Sequence, residues 1–332
     1  MHGMETNVRK AWIASIVIGL PVLLSIAAPA AAETYPDHSI SLVLGFAAGG
    51  PTDVVARILA NDLSKELGQA VVVENRVGAD GLLALNWVKR SKPDGYTLMF
   101  GSNGALTMQP AYKKNVDYDV LRDFTPISLT ASFPYLLSVS ASSPYHTLND
   151  LLSVAKQKTL TFASAGNGSA NHLAAEWLMS AKTLKLTHIP YKGDAPALVE
   201  VLSGRVDMGF FSGVTVKSHI DTGKLRVLAV SSSKPLPSHP EAPTIAQAAD
   251  IPGFSVEAWN GVLAPAGLPK DRLMKLNTAI NKIMNNAEVR EKLENLGQNS
   301  IASTPEQFSR YIALETEKWK KIIADAGVER ID

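Results

Sequence analysis

Residues 39–67 read SISLVLGFAAGGPTDVVARILANDLSKEL, and this stretch decides the fold. It begins with an apolar, β-branched run at Ile40, Leu42, Val43 and Leu44, which predicts a buried strand. Gly49 and Gly50 follow, in a turn where a side chain would keep a ligand away from the backbone. The spacing then predicts a helix with Thr52 as its N-cap, Pro51 just outside it, and Asp53 where a carboxylate favours the N-terminal dipole. Val55, Leu59, Leu63 and Leu67 recur every fourth position, which gives this helix one apolar face to lay on a sheet. A strand, a glycine turn and a helix with outward-pointing N–H groups together make an anion receptor.

Working outward, the 332-residue chain is long enough for two domains, and its formal charge of +1 is spread without a basic stripe or an acidic tail. Nucleic acid and anionic membrane surfaces are therefore not expected partners. Residues 1–32 read as a secretory signal peptide: Arg9 and Lys10, an apolar run from Ala11 to Leu24, and Ala30-Ala31-Ala32 as the cleavage site before Glu33. A membrane anchor is the competing reading, but the run is short for a bilayer and contains Pro21. The absence of cysteine excludes disulfides, thiolate metal sites, cysteine catalysis and a lipid-modified N-terminal cysteine. The expected location is the periplasm.

Three strand–helix units in succession argue for parallel strands: 39–67, then 70–92 with the turn Gly78-Ala79-Asp80-Gly81, then Tyr96 to Phe100 closed by Gly101-Ser102-Asn103-Gly104. Ligands of such sheets sit beyond the carboxyl ends of the strands, where Gly49-Gly50 and Gly101-Ser102 fall. Phe124 to Ser140 reads as two extended runs broken at Phe133-Pro134, the crossing into a second domain. A strand from Leu160 to Ala163 then ends in Ser164-Ala165-Gly166-Asn167-Gly168-Ser169 before a helix carrying His172, which repeats the opening design. Val206 to Phe211 is a further strand, followed by Ser212-Gly213, and Leu225 to Val230 returns toward the first domain. The expected organisation is a first lobe from residues 33–133 and 233–332 and a second from 134–232.

Enzyme signals fail on inspection. The Gly49-Gly50 turn lacks both the phosphate-loop ending and the dinucleotide G-x-G-x-x-G. His172 and Glu176 share a helix face without zinc-protease spacing, and the remaining histidines are scattered, so neither a metal nor a cofactor is expected. The S-x-x-K matches at Ser153 and Ser231 lack their companion motifs. Isolated glycines after strands are ordinarily turns, and Asp53 alone is ordinarily a cap. The functional signal is the coincidence of small-residue turns at matching strand ends of two domains.

Six blocks carry a family resemblance: YPDHSISLVLGFAAGGPTDVVAR, VVVENRVGADG, KPDGYTLMFGS, FASAGNGSANHLAAE, HIPYKGDAPAL and WNGVLAPAGLP. In this order they resemble the periplasmic receptors of tripartite tricarboxylate transporters, the Bug family. The resemblance implies an α/β, two-lobed periplasmic-binding-protein fold of type II, with two Rossmann-like lobes joined by crossover strands. It implies a monomer that closes on a small carboxylate without bond chemistry and passes it to integral-membrane transporter subunits. By carry-over the ligand positions are Phe46, Ala48, Gly49, Gly50, Asp53, Gly101 and Ser102 in the first lobe. In the second they are Ser164, Gly166, Asn167, Gly168, Ser169 and His172, with Phe211 and Ser212 at the next strand end. Phe46 and Phe211 would floor an aromatic acid or serve as packing.

Three positions depart from the family pattern: Gly45 and Val77, where proline is common, and Ser212, where aspartate is common. The last favours a plain carboxylate over an amino acid. Two rival readings are a receptor reporting to a sensor kinase and an exported hydrolase using Ser169 beside His172.

Overall fold

The structure is a computed structural model that describes residues 35–78, 81–236, 238–325 and 327–330; the leader read at 1–32 lies outside them. The chain opens with β1 (Ile40–Leu44), α1 (Pro51–Leu67), β2 (Val71–Asn75), α2 (Leu82–Lys89) and β3 (Thr97–Ser102). A π-helical turn (Gly104–Met108), α3 (Gln109–Tyr112) and α4 (Val120–Asp123) lead into β4 (Phe124–Ser140). Next come α5 (Leu148–Gln157), β5 (Leu160–Ser164), α6 (Ala170–Lys182), β6 (Leu186–Pro190), α7 (Asp194–Leu202), β7 (Met208–Ser212), α8 (Gly213–Asp221) and β8 (Leu225–Val230). The chain finishes with α9 (Ile245–Ala248), β9 (Glu257–Pro265), α10 (Lys270–Met284), α11 (Ala287–Glu294), β10 (Asn299–Ser300) and α12 (Pro305–Asp325).

Two strand–helix repeats build the sheet. In the first, β1 pairs in parallel with both β2 and β3; in the second, β5 pairs in parallel with both β6 and β7. The sheet is mixed rather than purely parallel, because the strands joining the repeats run against them. β9 opposes both β3 and β4, and β4 opposes both β7 and β8.

The 17-residue β4 is one continuous strand, not two runs with a break. Its first part pairs with β9 as far as Pro134–Glu257, and its second part begins pairing with β7 at Tyr135–Ser212. Proline holds a φ compatible with extended chain, and its missing donor costs least where the ladder changes partners. At the next residue the donor goes to a side chain, Tyr135 N to Ser231 Oγ at 2.8 Å. The expected break is the point of partner exchange.

Two local expectations are corrected. Gly50, not Thr52, is the N-cap of α1, and Pro51 is inside the helix at its first position. Proline fits there because its fixed φ suits the helix and that N–H would have no intrahelical partner. β3 also runs on through Gly101 and Ser102, which pair with Gly261 and Asn260 of β9. The tertiary ladder overrides the local turn tendency of glycine and serine.

Direction follows from these pairings. β3 and β4 share a direction because both oppose β9, so the carboxyl ends of β1 and β3 point toward the middle of β4. β7 opposes β4, so the carboxyl ends of β5 and β7 point back toward the same place. Ser102 lies level with Ala131, through Asn260, and Ser212 lies level with Tyr135. Four residue-to-residue steps along β4, roughly 13 Å at the usual rise, separate the two edges. α12 straps both halves: Phe308 and Ile312 pack with Trp259 and Met99, while Trp319 and Ile323 pack with Leu173 and Phe210.

Candidate anion-binding cleft

The first wall is the bend between β1 and α1. Ala48 and Gly49 are exposed and Gly50 is half-buried, so the backbone of the bend faces outward. Gly49 has φ +84°, a left-handed conformation that glycine adopts without steric cost. Gly45 is required for another reason: a Cβ there would lie 2.3 Å from Gly81 Cα, because the two glycine bends of this half touch backbone to backbone. Phe46 is half-buried against the core, and its carbonyl accepts from Asn75 Nδ2 at 2.9 Å.

Asp53 is the brace of this bend. Its carboxylate accepts from Gly49 N at 2.9 Å, Asn75 Nδ2 at 2.8 Å, and Arg57 Nε and Nη2 at 2.8 and 3.0 Å. Burial pushes its pKa up, but the hydrogen bonds from Arg57, Gly49 and Asn75 outweigh it and hold the carboxyl below the usual range. Asp53→Ala leaves Gly49 N–H and Asn75 without their acceptor and is expected to cost about 2–3 kcal/mol at neutral pH. Because the folded pKa lies below the unfolded one, this contribution is complete above the unfolded carboxylate value and is lost as pH falls through the folded value. Urea denaturation of wild type and variant at pH 7 and pH 3 checks it: the difference should shrink in acid.

Beside the α1 N-terminus lie polar atoms with no protein partner. Asn260 Nδ2 donates to Thr52 Oγ1 at 3.4 Å, while Asn260 Oδ1 and Ser102 Oγ are buried and unpaired among the described residues. Buried polar groups are seldom left so. Gly101, by contrast, is glycine for packing, since a Cβ there would meet Leu106 Cδ1 at 2.7 Å.

The second wall is the bend between β5 and α6. Ser169 caps α6 in position, and its hydroxyl turns back toward Gly166 O and Asn171 Oδ1. Gly166 and Gly168 both have positive φ, and Asn167 between them is exposed. Ser164 is fully buried and bonded to His188 Nε2 at 2.6 Å. His172 is buried, stacked on His188 at 4.0 Å between centroids, accepts from Gly168 N at 3.1 Å and lies 3.3 Å from Glu176. Burial, then the neighbouring His172, pushes His188 down to about 3, so this imidazole stays neutral at physiological pH. Gly168 is closely packed as well: a Cβ there would meet Tyr112 Cδ1 of α3 at 2.7 Å.

The third strand end holds Ser212, which caps α8 by accepting from Thr215 N. Phe211 points away into the core with Leu198, Val201 and Val216 and has no exposed surface. The bends at 48–53 and 164–169, Ser102 and Ser212 thus share two edges that face one gap; Phe211 and Gly101 serve packing. Asn75, Arg57, Asn171, Asp194 and Asn260 escaped the sequence reading. Asn75 and Asn260 lie in or at the ends of strands, where polar residues flag an edge, but nothing local marks Asn171.

Two α/β halves whose strand ends and helix N-termini converge on a shared gap define a two-lobed receptor of the periplasmic-binding-protein type. The chain belongs to the tripartite tricarboxylate transporter receptor family, whose model matches residues 55–328. It is 34% identical over 317 residues to Protein BugT of Bordetella pertussis, covering 94% of this chain and 97% of that one. Among solved structures it resembles Rpa4515 of R. palustris with adipate (TM-score 0.84, 33% identity, 88% of this chain and 98% of that one). It likewise resembles MatC from Rhodopseudomonas palustris with bound malate (TM-score 0.80, 32% identity, 87% of this chain and 100% of that one). The family is one of substrate-binding receptors, not enzymes.

Proposed function

We infer that this chain is a periplasmic solute-binding protein that captures a small carboxylate between its lobes and delivers it to a tripartite tricarboxylate transporter. The single observation that carries the reading is the opposition of two strand–turn–helix bends across the middle of β4. Each bend offers backbone N–H groups at a helix N-terminus, the arrangement that suits an anion. The lobes, 33–133 with 233–332 and 134–232, close because contacts to both walls at once exist only in the closed state. Each charge-assisted contact contributes about 1.5–3 kcal/mol, so a few give roughly micromolar affinity. Ligand contacts run through the amides of Ala48 and Gly50 in the first bend and of Asn167 in the second, with Ser102 and Ser212 at the strand ends and His172 behind the second bend. The adipate- and malate-bound relatives support a di-acid ligand. Signal-peptide removal after Ala32 and action as a monomer complete the reading.

A thermal-shift screen of aliphatic dicarboxylates, aromatic acids and amino acids tests it. At least one carboxylate at a hundred times its Kd should stabilise the fold by about 2.7 kcal/mol, a rise of several degrees. No shift and no calorimetric binding across the panel would overturn the reading.

A further inference from the structure

An anion receptor built from N–H donors has one component of the wrong sign. Asp194, the first residue of α7, is partly buried at the carboxyl edge of the second half. Its Oδ1 accepts from Asn171 Nδ2 at 2.9 Å, and the Ser212 backbone lies beside the same carboxyl, each favouring its ionised form. Among the described residues no Lys, Arg or His compensates it; the titratable group facing it is Tyr135 of β4. An ionised carboxylate without a counter-charge is costly in such a place unless something supplies a donor.

Its position decides what that donor belongs to. α7 packs on one face of the half-sheet through Ala197, Leu198 and Val201, and α6 on the other through Leu173 and Leu178. The Asp194 carboxyl bridges the two by passing over the end of β7, where Ser212 pairs with Tyr135. That end is the edge facing the gap. Asn171 completes the tie: its Nδ2 also donates to Phe210 O, and its Oδ1 accepts from Ala165 N and His172 N. Asp194 is thus locked to the bend at 164–169 through one side chain. Ser212 carries no charge, yet a carboxylate from α7 sits against its backbone.

We propose that Asp194 is a specificity-determining residue, selecting carboxylates that also bring a hydrogen-bond donor, a hydroxyl or an ammonium, to the second wall over those that bring none. This rests on the receptor reading above and narrows its ligand class. Burial pushes the Asp194 carboxyl up to about 6, so lowering the pH removes the opposing charge within an accessible range. Discrimination is greatest above that value and fades below it.

The probes are succinate, L-malate and L-aspartate, four-carbon acids differing at one position, measured by titration calorimetry. At pH 8 malate and aspartate should bind the wild-type chain about tenfold or more tighter than succinate, the effect of one hydrogen bond to a charged group. Asp194→Asn, with its circular dichroism unchanged, should bring the ratios to within about threefold, chiefly by weakening malate and aspartate. Should that variant fail to fold, the wild type decides alone: between pH 8 and pH 5 succinate should gain on aspartate by about tenfold. Ratios unmoved by both the substitution and pH overturn the proposal. So does the failure of all three probes when another carboxylate from the screen binds, with the receptor reading intact. Binding by no carboxylate at all overturns both.

Discussion

Gly50→Val should abolish ligand binding while leaving the fold in place. Gly50 has φ −76° and ψ 168°, an extended conformation open to any residue, and a Cβ there would meet only Ala47 O at 3.6 Å. A valine side chain therefore finds room in the protein and intrudes on the ground in front of the α1 N-terminus. Losing two charge-assisted N–H contacts removes about 3–6 kcal/mol, a loss of affinity between a hundredfold and ten-thousandfold. Valine is also a poorer N-cap than glycine, which costs about 1 kcal/mol and lowers Tm by only a few degrees. Calorimetry beside a thermal melt separates the two effects. Retained affinity would mean that the ligand does not approach this bend.

Gly261→Val should produce the largest loss of stability. Gly261 lies in β9 at the centre of the sheet, and a Cβ there would come within 2.2 Å of Phe308 Cζ and 2.7 Å of Cε1. The Phe308 ring is fully buried and edge-packed on Trp259 at 5.7 Å, so it has nowhere to withdraw. Overpacking ordinarily costs about 1–3 kcal/mol, and expelling the ring adds the cost of an emptied aromatic site, about 3–5 kcal/mol. The variant should lose most of its folded population at 37 °C. Phe308→Ala in the same chain removes the clash, so the double variant should be less destabilised than the sum of the singles. Equal or additive losses would show that α12 does not seat on Gly261.

Much of the frame was legible in residue order. The run Ile40–Leu44 and the fourfold spacing of Val55, Leu59 and Leu63 report local geometry, and local geometry is what periodicity encodes. The start of α1 was misplaced by two residues because Pro51 suits both the position before a helix and its first turn.

The candidate site was legible only in part. The bends at 48–53 and 164–169 announce themselves through glycine and small residues. The resemblance puts Asp53 among the ligand positions, and in the structure its oxygens accept from Gly49, Arg57 and Asn75. Gly101 is a ligand position by resemblance, and the structure adds a packing reason for glycine there, since a Cβ would meet Leu106.

Residue order alone determined that strands, glycine turns and helix N-termini recur in two matching units, because each is set by neighbours along the chain. Tertiary structure alone decided that β4 runs unbroken through both halves and turns their strand ends toward each other. It also decided that Asn171 meets Asp194 and that Phe308 rests on Gly261. Those meetings join residues 23 and 47 positions apart, and no hydrophobic period reaches that far; sheet order and direction bring them into contact.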